Sequence, residues 1–249
     1  MSGAVTVFPV RGLPEIAAGD RLGELIATRA ELRDGDVVAI SQKAVSKAEG
    51  RVRRLAEVRP GDEARRLAAA LDKDPRLVQL VLEESAAVLR AERGVLIVET
   101  RSGLVCANAG VDTSNLPQPD TACLLPEDPD ASARRIRAEL RRACGARVGV
   151  VISDSLGRAW RLGQAETAIG CAGIAPLDDW RGRADGAGRE LRATVIAVAD
   201  ELAAAADLAR DKASGVPAVV VRGAERHVTE GDGPGAAALR RPPAEDLFR

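Results

Sequence analysis

Aromatic side chains are almost missing from this chain, which has two Trp, two Phe and no Tyr. So few flat rings offer no row of stacking platforms, which argues against a binder of single-stranded nucleic acid. Net charge is equally slight: 36 Lys and Arg stand against 37 Asp and Glu, for a formal charge of −1. No global field draws the protein to nucleic acid or to an anionic membrane, so any basic site must be local. No apolar run approaches the roughly 18 residues that span a bilayer. The start, "MSGAVTVFPVRGLPEI", lacks the basic-then-apolar order of an export signal, and a cytoplasmic location is expected.

Cysteine is scarce and scattered. Cys106, Cys123, Cys144 and Cys171 show no C-x-x-C spacing, so neither a zinc site nor a disulfide framework follows, and reduced, mostly buried thiols are expected. The one histidine, His227, heads the Gly-, Pro- and charge-rich tail "HVTEGDGPGAAALRRPPAEDLFR". A Ser-His-Asp or Cys-His relay would need that tail folded back into the site. Chemistry is therefore expected from carboxylates, Lys, Arg, backbone amides and a bound metal. Walker A and G-x-G-x-x-G sequences are also missing, so a nucleotide site here would be an unusual one.

What is present is Ala, Val and Leu. Of 249 residues, 46% are hydrophobic and 29% charged, the balance of a globular chain with a sizeable core. Short apolar runs bounded by turn residues, "VVAI", "RVGVVI" and "GVPAVVVRG", read as strands covered on both faces. "VTVFPV" and "LRATVIAVA" are expected to add strands, and "AVLRAERGVLIVETRSGLVCANAG", broken at Gly94 and "RSG", a hairpin or meander. Helices are expected over "GDRLGELIATRAEL", capped by Asp20, over "PGDEARRLAAAL", capped through Asp62, and over "DPRLVQLVLEES", with Pro75 near its first turn. In "EDPDASARRIRAELRRAC", Ile136, Leu140 and Cys144 recur at four-residue spacing and Gly145 ends the helix; "DELAAAADLARDKA" is the last.

The sum is a mixed α/β chain, α+β in its strand order, with seven or eight strands and five helices. A mixed β-sheet with flanking helices is expected, neither Rossmann nor P-loop. One domain is expected over residues 1–226, followed by a partly disordered tail over 227–249.

Three polar segments each follow an expected strand, where an α/β protein carries its ligand groups without disturbing the core. "SQKAVSKAEGR" puts Gln42, Lys43, Ser46 and Lys47 after "VVAI". "CANAGVDTSN" supplies Asn108, Asp112, Ser114 and Asn115, and "ISDSLGR" places Asp154 beside Ser155. Two carboxylates, a neighbouring hydroxyl, cations and Gly amides are the ingredients for holding nucleotide phosphates through a hard divalent ion. The same residue types also make ordinary surface turns, and composition alone leaves both readings open.

The sequence also carries a resemblance. "ISQKAVSKAEGR", "CANAGVDTSN", "LLPEDPDASARRIR", "ISDSLGRAWRLGQAETAIGCAGI", "DDWRGRADGAGREL" and "ADELAAAADLARDKASGVPAVVVRG" resemble, in order and spacing, the coenzyme F420:L-glutamate ligase family. That family includes the N-terminal half of the actinobacterial two-domain ligase. The resemblance runs from about Phe8 to Gly223. It implies the family's own fold and a homodimer. It also implies GTP-dependent attachment of L-glutamate to F420-0 through an acyl phosphate, with further γ-linked glutamates, and Mg²⁺ or Mn²⁺ in one or two sites with K⁺ as an additional ion.

By that resemblance Asp112, Asp154 and Ser155 match metal positions, with Ser155 where the family usually has Thr. Gly12, Leu13, Pro14, Glu15, Gln42, Lys47 and Asn115 match positions that contact GTP, and Asp154 and Arg158 are the expected catalytic pair. The chain departs from the archaeal "MGEA"-like run, which supplies an acidic or amide ligand to a second metal. Here the run is "RDKA", and Lys212, no metal ligand, stands at that position: either the second ion is held differently, with Asp211 next door a candidate, or Lys212 replaces part of its charge on the phosphates.

Arg158 and Arg161 are either anion clamps or surface salt bridges. Arg181, Asp185 and Arg189 either meet substrate or form a buried polar turn. Trp160 and Trp180 read as packing residues, and Glu83 and Glu84 as a solvated helix face. A relative that has lost turnover, or whose substrate has drifted, is the alternative to an active F420-0 ligase.

Overall fold

The computed structural model describes residues 3–210 and 214–247. In chain order its elements are β1 (Thr6–Pro9), α1 (Leu22–Ala27), β2 (Val37–Ser41), α2 (Gln42–Ala48), β3 (Val52–Arg54), α3 (Asp62–Leu71) and α4 (Pro75–Glu84). Then come β4 (Ser85–Glu92), β5 (Val95–Thr100), β6 (Val105–Ala107), β7 (Thr121–Cys123) and α5 (Pro129–Cys144). The chain continues with β8 (Gly149–Arg158), β9 (Arg161–Ala172), β10 (Asp178–Asp179), β11 (Val195–Ile196), α6 (Val198–Asp207) and β12 (Ala218–Arg222).

The main sheet has the order β1-β12-β2-β8-β9. Its one parallel pair, β2 with β8, aligns Val37 with Gly149 and Ser41 with Ser153; the other neighbours are antiparallel. The expected mixed sheet with flanking helices is what forms. The apolar runs fill it because alternate side chains find a core on each face. Val38, Ile40, Val150 and Ile152 join α1, α2 and α5 in one buried cluster. Val37, Ala39, Val151, Val219 and Val221 meet Leu202, Ala203 and Ala206 of α6 in the other.

Helix α5 is specified by its ends. Asp128 accepts from the Ala131 amide at 2.9 Å, Pro129 follows it, and Gly145 closes the helix at φ 75°. Ile136 and Leu140 face the core at 1% and 0% exposure. Gly23 of α1 lies so close that a Cβ there would sit 2.6 Å from the Ile136 carbonyl oxygen. A second layer joins α3 and α4 to the β4-β5-β6 meander through Leu67, Leu71, Val78, Leu96 and Val98.

Several expectations differ in detail. "SQKAVSKAEGR" is a loop only at its end, since Gln42–Ala48 is a helix. Its buried Ala44, Val45 and Ala48 lie among Ser and Lys that hide the period. Asp20 does not cap α1: Arg21 stands at the cap, and Asp20 accepts from the Ala17 amide instead. Gly61, not Asp62, precedes α3. "LRATVIAVA" yields only the two-residue β11, because Val198 already opens α6. With α2 and the short strands, six helices and twelve strands occur among the described residues.

Residues 227–239 lie against the main sheet and α5. Asp130 accepts from the amides of Cys171, Ala236 and Ala237, and Arg137 holds Asp232 at 2.7 Å and the Thr229 carbonyl at 2.8 Å.

Candidate functional site

Two strands running the same way deliver their polar ends to one place. Where β2 ends at Ser41, its parallel partner β8 is level at Ser153. The chain turns directly from β2 into α2, bringing Gln42, Lys43 and Lys47 over the strand ends, while β8 runs on through Asp154 and Ser155. The segment after β6 adds Asp112, Ser114 and Asn115, the β1–α1 connection adds Pro14 and Glu15, and β9 adds Glu166. Asp207, Arg210 and residues 215–217 complete the lining of a cleft of about 530 Å³.

Asp112 is held in place twice. Its backbone bridges to Cys123, and the turn before it is fixed by Asn108, Ala109 and Gly110, all at positive φ. At Gly110 a Cβ would lie 2.6 Å from Leu125, so only glycine fits. The Asp112 carboxylate accepts from Lys43 Nζ at 2.6 Å, the Ser114 amide at 2.7 Å and Ser114 Oγ at 2.9 Å. Burial pushes this carboxyl up, but the bonds from Lys43 and Ser114 outweigh it and hold it below the ordinary range. Lys43 Nζ also donates to the Ser114 carbonyl at 2.6 Å. Lys47 pairs with Glu15 at 2.6 Å.

Asp154 has the opposite electrostatics. Burial, then repulsion from Glu166 and Asp112, raises its carboxyl to about 6. Its charge also adds to the burial that pushes the Cys106 thiol up to about 12, so Cys106 is no nucleophile near neutral pH.

Ser153 and Ser155 point to the same face of the hairpin as Glu166, which sits directly across from Ser155. Both hydroxyls donate to Glu166 at 2.5 Å, and Arg210 Nη2 donates to it at 2.8 Å. The Arg210–Glu166 pair is buried, with 7% of each side chain exposed. The cleft thus gathers five carboxylates, Glu15, Asp112, Asp154, Glu166 and Asp207, with three cations, Lys43, Lys47 and Arg210, a negative excess that a bound cation would balance.

The sequence comparisons bear on what such a cleft serves. The model of the F420-0:gamma-glutamyl ligase family matches residues 12–223. The chain is 46% identical over 245 residues to the coenzyme F420:L-glutamate ligase of Methanopyrus kandleri, covering 98% of this chain and 97% of that protein. The ligase of the same name from Archaeoglobus fulgidus is 48% identical over 220 residues, 88% of each chain. That of Methanothermobacter thermautotrophicus is 43% identical over 251 residues, covering 98% and 99%. The chain belongs to the F420-0:gamma-glutamyl ligase family.

It is therefore an enzyme of the ligase class, and its family's expected site residues can be located. Eight of them line the one cleft: Pro14, Glu15, Gln42, Lys47, Asp112, Asn115, Asp154 and Ser155. Gly12 and Leu13 do not line it; the Gly12 carbonyl accepts from Arg29 at 2.9 Å, and Leu13 packs on the core. Arg158 lies at the exposed end of the β8–β9 hairpin, where it donates to the Leu162 carbonyl at 2.8 Å, away from the cleft lining. Asp211 and Lys212 fall outside the described residues.

The "ISDSLGR" segment is not a loop beyond the strand but the strand itself, since β8 continues to Arg158. Trp160 is 80% exposed rather than packed. Trp180 stacks under Arg183 and donates to Asp178, and Arg181 and Arg189 pair with Asp179 and Asp185 in an exposed turn. Glu84 departs from a solvated helix face, pairing with the buried Arg51 at 2.6 Å.

Glu166 and Arg210, a buried ion pair in the cleft lining, are charged residues that sequence reasoning missed. The signal for Glu166 was the hairpin itself. "SDSLGRAWRLGQAE" folded back on its central turn sets Glu166 opposite Ser155, whereas a loop reading gives it no partner. Arg210 had no such signal in the Ala-rich run before it.

Proposed function

We propose that this ligase joins L-glutamate to F420-0 through an amide bond at the expense of GTP, and then adds further glutamates through their γ-carboxyls. The observation that carries the reading is the convergence of Lys43, Lys47 and Arg210 with Asp112, Asp154 and Glu166 on one cleft at the ends of β2 and β8.

A carboxylate is a poor acyl donor, so it must first be activated. The carboxylate of F420-0 attacks the γ-phosphorus of GTP; an O–P bond forms, the bond to the bridging oxygen breaks, and GDP leaves. The amine of glutamate then attacks the acyl carbon, forming the C–N bond as the C–O bond to phosphate breaks and the amine gives up a proton. None of this needs His or Cys, which suits a chain whose one His lies outside the cleft lining. Lys43, braced by Asp112 and Ser114, and Lys47 neutralise phosphoryl oxygens as the in-line transfer proceeds.

The donor set suits a hard divalent cation, Mg²⁺ or Mn²⁺, held by Asp112 and Asp154 with the Ser155 hydroxyl. Burial, then repulsion from Glu166 and Asp112, lifts Asp154 to about 6, and a bound cation would offset both. Among the described residues no three His, Cys, Asp or Glu groups stand close enough to cage an ion unaided. That is the habit of Mg²⁺, which takes one or two carboxylates and completes its shell with water and substrate phosphate. When bound, the ion supplies positive charge to the phosphoryl oxygens.

The test is direct. Incubation with F420-0, L-glutamate, GTP and either Mg²⁺ or Mn²⁺ should yield F420-0 heavier by one glutamyl residue and one GDP per amide, read by mass spectrometry. Absence of both products with either metal would sink the reading.

A further inference from the structure

The Arg210 side chain lines the cleft yet is more than nine-tenths buried. Its Nη2 is committed, to Glu166 at 2.8 Å and Ser153 at 3.2 Å. Its Nη1, also buried, has no hydrogen-bond partner among the described residues. Most buried polar atoms are satisfied, and a charged donor left unsatisfied on a residue that lines a cleft calls for an explanation. Among the described residues no other carboxylate answers it, since Asp207 approaches Nη2 and no closer than 3.8 Å.

A guanidinium is a planar fork whose donors match phosphate oxygens in pairs, and it is never deprotonated. Glu166 and the two serines lock one side of the fork, so the other side is positioned before any ligand arrives. Arg210 also opens the "RDKA" run in which the chain departs from the archaeal pattern.

We propose that Arg210 is a fixed anion-binding residue of the cleft, a protein-borne cation that holds the polyphosphate of the nucleotide without waiting for a metal. Glu166 is its positioning residue. The inference rests on the cleft being the phosphate site of the proposed ligase, but it concerns polyphosphate alone, so its test is independent of turnover. Polyphosphate binding then retains a component that chelation of divalent ions does not remove.

The experiment measures tripolyphosphate binding by calorimetry in excess EDTA, with the wild type and an Arg210→Met/Glu166→Gln double variant. The double variant removes the guanidinium while leaving the pair's net charge at zero and no carboxylate stranded, so a loss of affinity reports the donors rather than local charge. Losing a charge-assisted bond predicts binding weaker by at least about tenfold. A loss below about threefold, or no binding by the wild type in EDTA, overturns the proposal. Arg210→Lys should recover only part of the affinity, because an ammonium lacks the fork; a variant that unfolds is recognised by its thermal transition and replaced by Arg210→Lys as the decisive comparison. Failure of the ligase assay with tripolyphosphate binding intact and Arg210-dependent would sink the F420-0 reading and leave Arg210 as an anion site.

Discussion

Replacing Asp154 by Asn should make the protein more stable while ending its chemistry. Burial and the neighbouring carboxylates of Glu166 and Asp112 hold the Asp154 carboxyl at about 6, against an ordinary 3.8. Between those two values the folded protein keeps a proton that the unfolded chain has released. Folding stability from this group therefore rises as pH falls through about 6, and the whole penalty is present above it. A gap of about two pH units, at 1.36 kcal/mol each, sets an upper figure of about 3 kcal/mol; partial contact with water brings the expected gain to about 1–3 kcal/mol.

The assay is urea unfolding of both proteins in EDTA from pH 4 to pH 8, where the difference between them isolates this one carboxyl. Asp154→Asn should be the more stable at pH 7.5, with the gap closing towards pH 4. Millimolar Mg²⁺ or Mn²⁺ should then stabilise the wild type and leave the variant unmoved, narrowing the gap from the other side. A variant no more stable at pH 7.5, or a gap independent of pH, would refute the electrostatic account of this cleft.

Glu166→Ala strands the Arg210 guanidinium and both serine hydroxyls, and should cost about 3–5 kcal/mol in unfolding free energy; a loss below about 1 would mean that the pair is solvated. Lys43→Met frees Asp112 to rise towards the ordinary carboxyl range and removes a phosphate cation, so the ligase rate should fall at least about 100-fold with circular dichroism unchanged. An unaltered rate would take Lys43 out of the chemistry. Asp130→Ala withdraws the acceptor from the amides of Cys171, Ala236 and Ala237. It should destabilise by at least about 2 kcal/mol and expose residues 227–239 to limited proteolysis, with equal protection in both proteins contradicting the docking.

The central strands were the most legible part of the fold, because "VVAI", "RVGVVI" and "AVVV" have no use except in a sheet covered on both faces. α5 was equally plain, with its cap, its Pro and its closing Gly in order. Short elements were not. α2 buries Ala44, Val45 and Ala48 in seven residues, too few for a period to rise above the Ser and Lys around it. In the cleft, Asp112, Asp154 and Ser155 could be named because each sits a few residues past an apolar run. Glu166 and Arg210 could not, because their meaning is a contact: one lies across a hairpin from Ser155 and the other reaches it from beyond α6. Sequence distance hides such pairs, and Arg158 shows the converse, a suggestive residue that the hairpin carries away from the cleft.

The claim that a carboxylate is activated by phosphorylation in this cleft is tested most directly by isotope transfer. F420-0 labelled with ¹⁸O in its reacting carboxylate is turned over with L-glutamate, GTP and Mg²⁺, and the released phosphate is weighed. The account predicts one ¹⁸O atom in each phosphate, for every amide formed. Amide formation with unlabelled phosphate, or no amide at all, would contradict it.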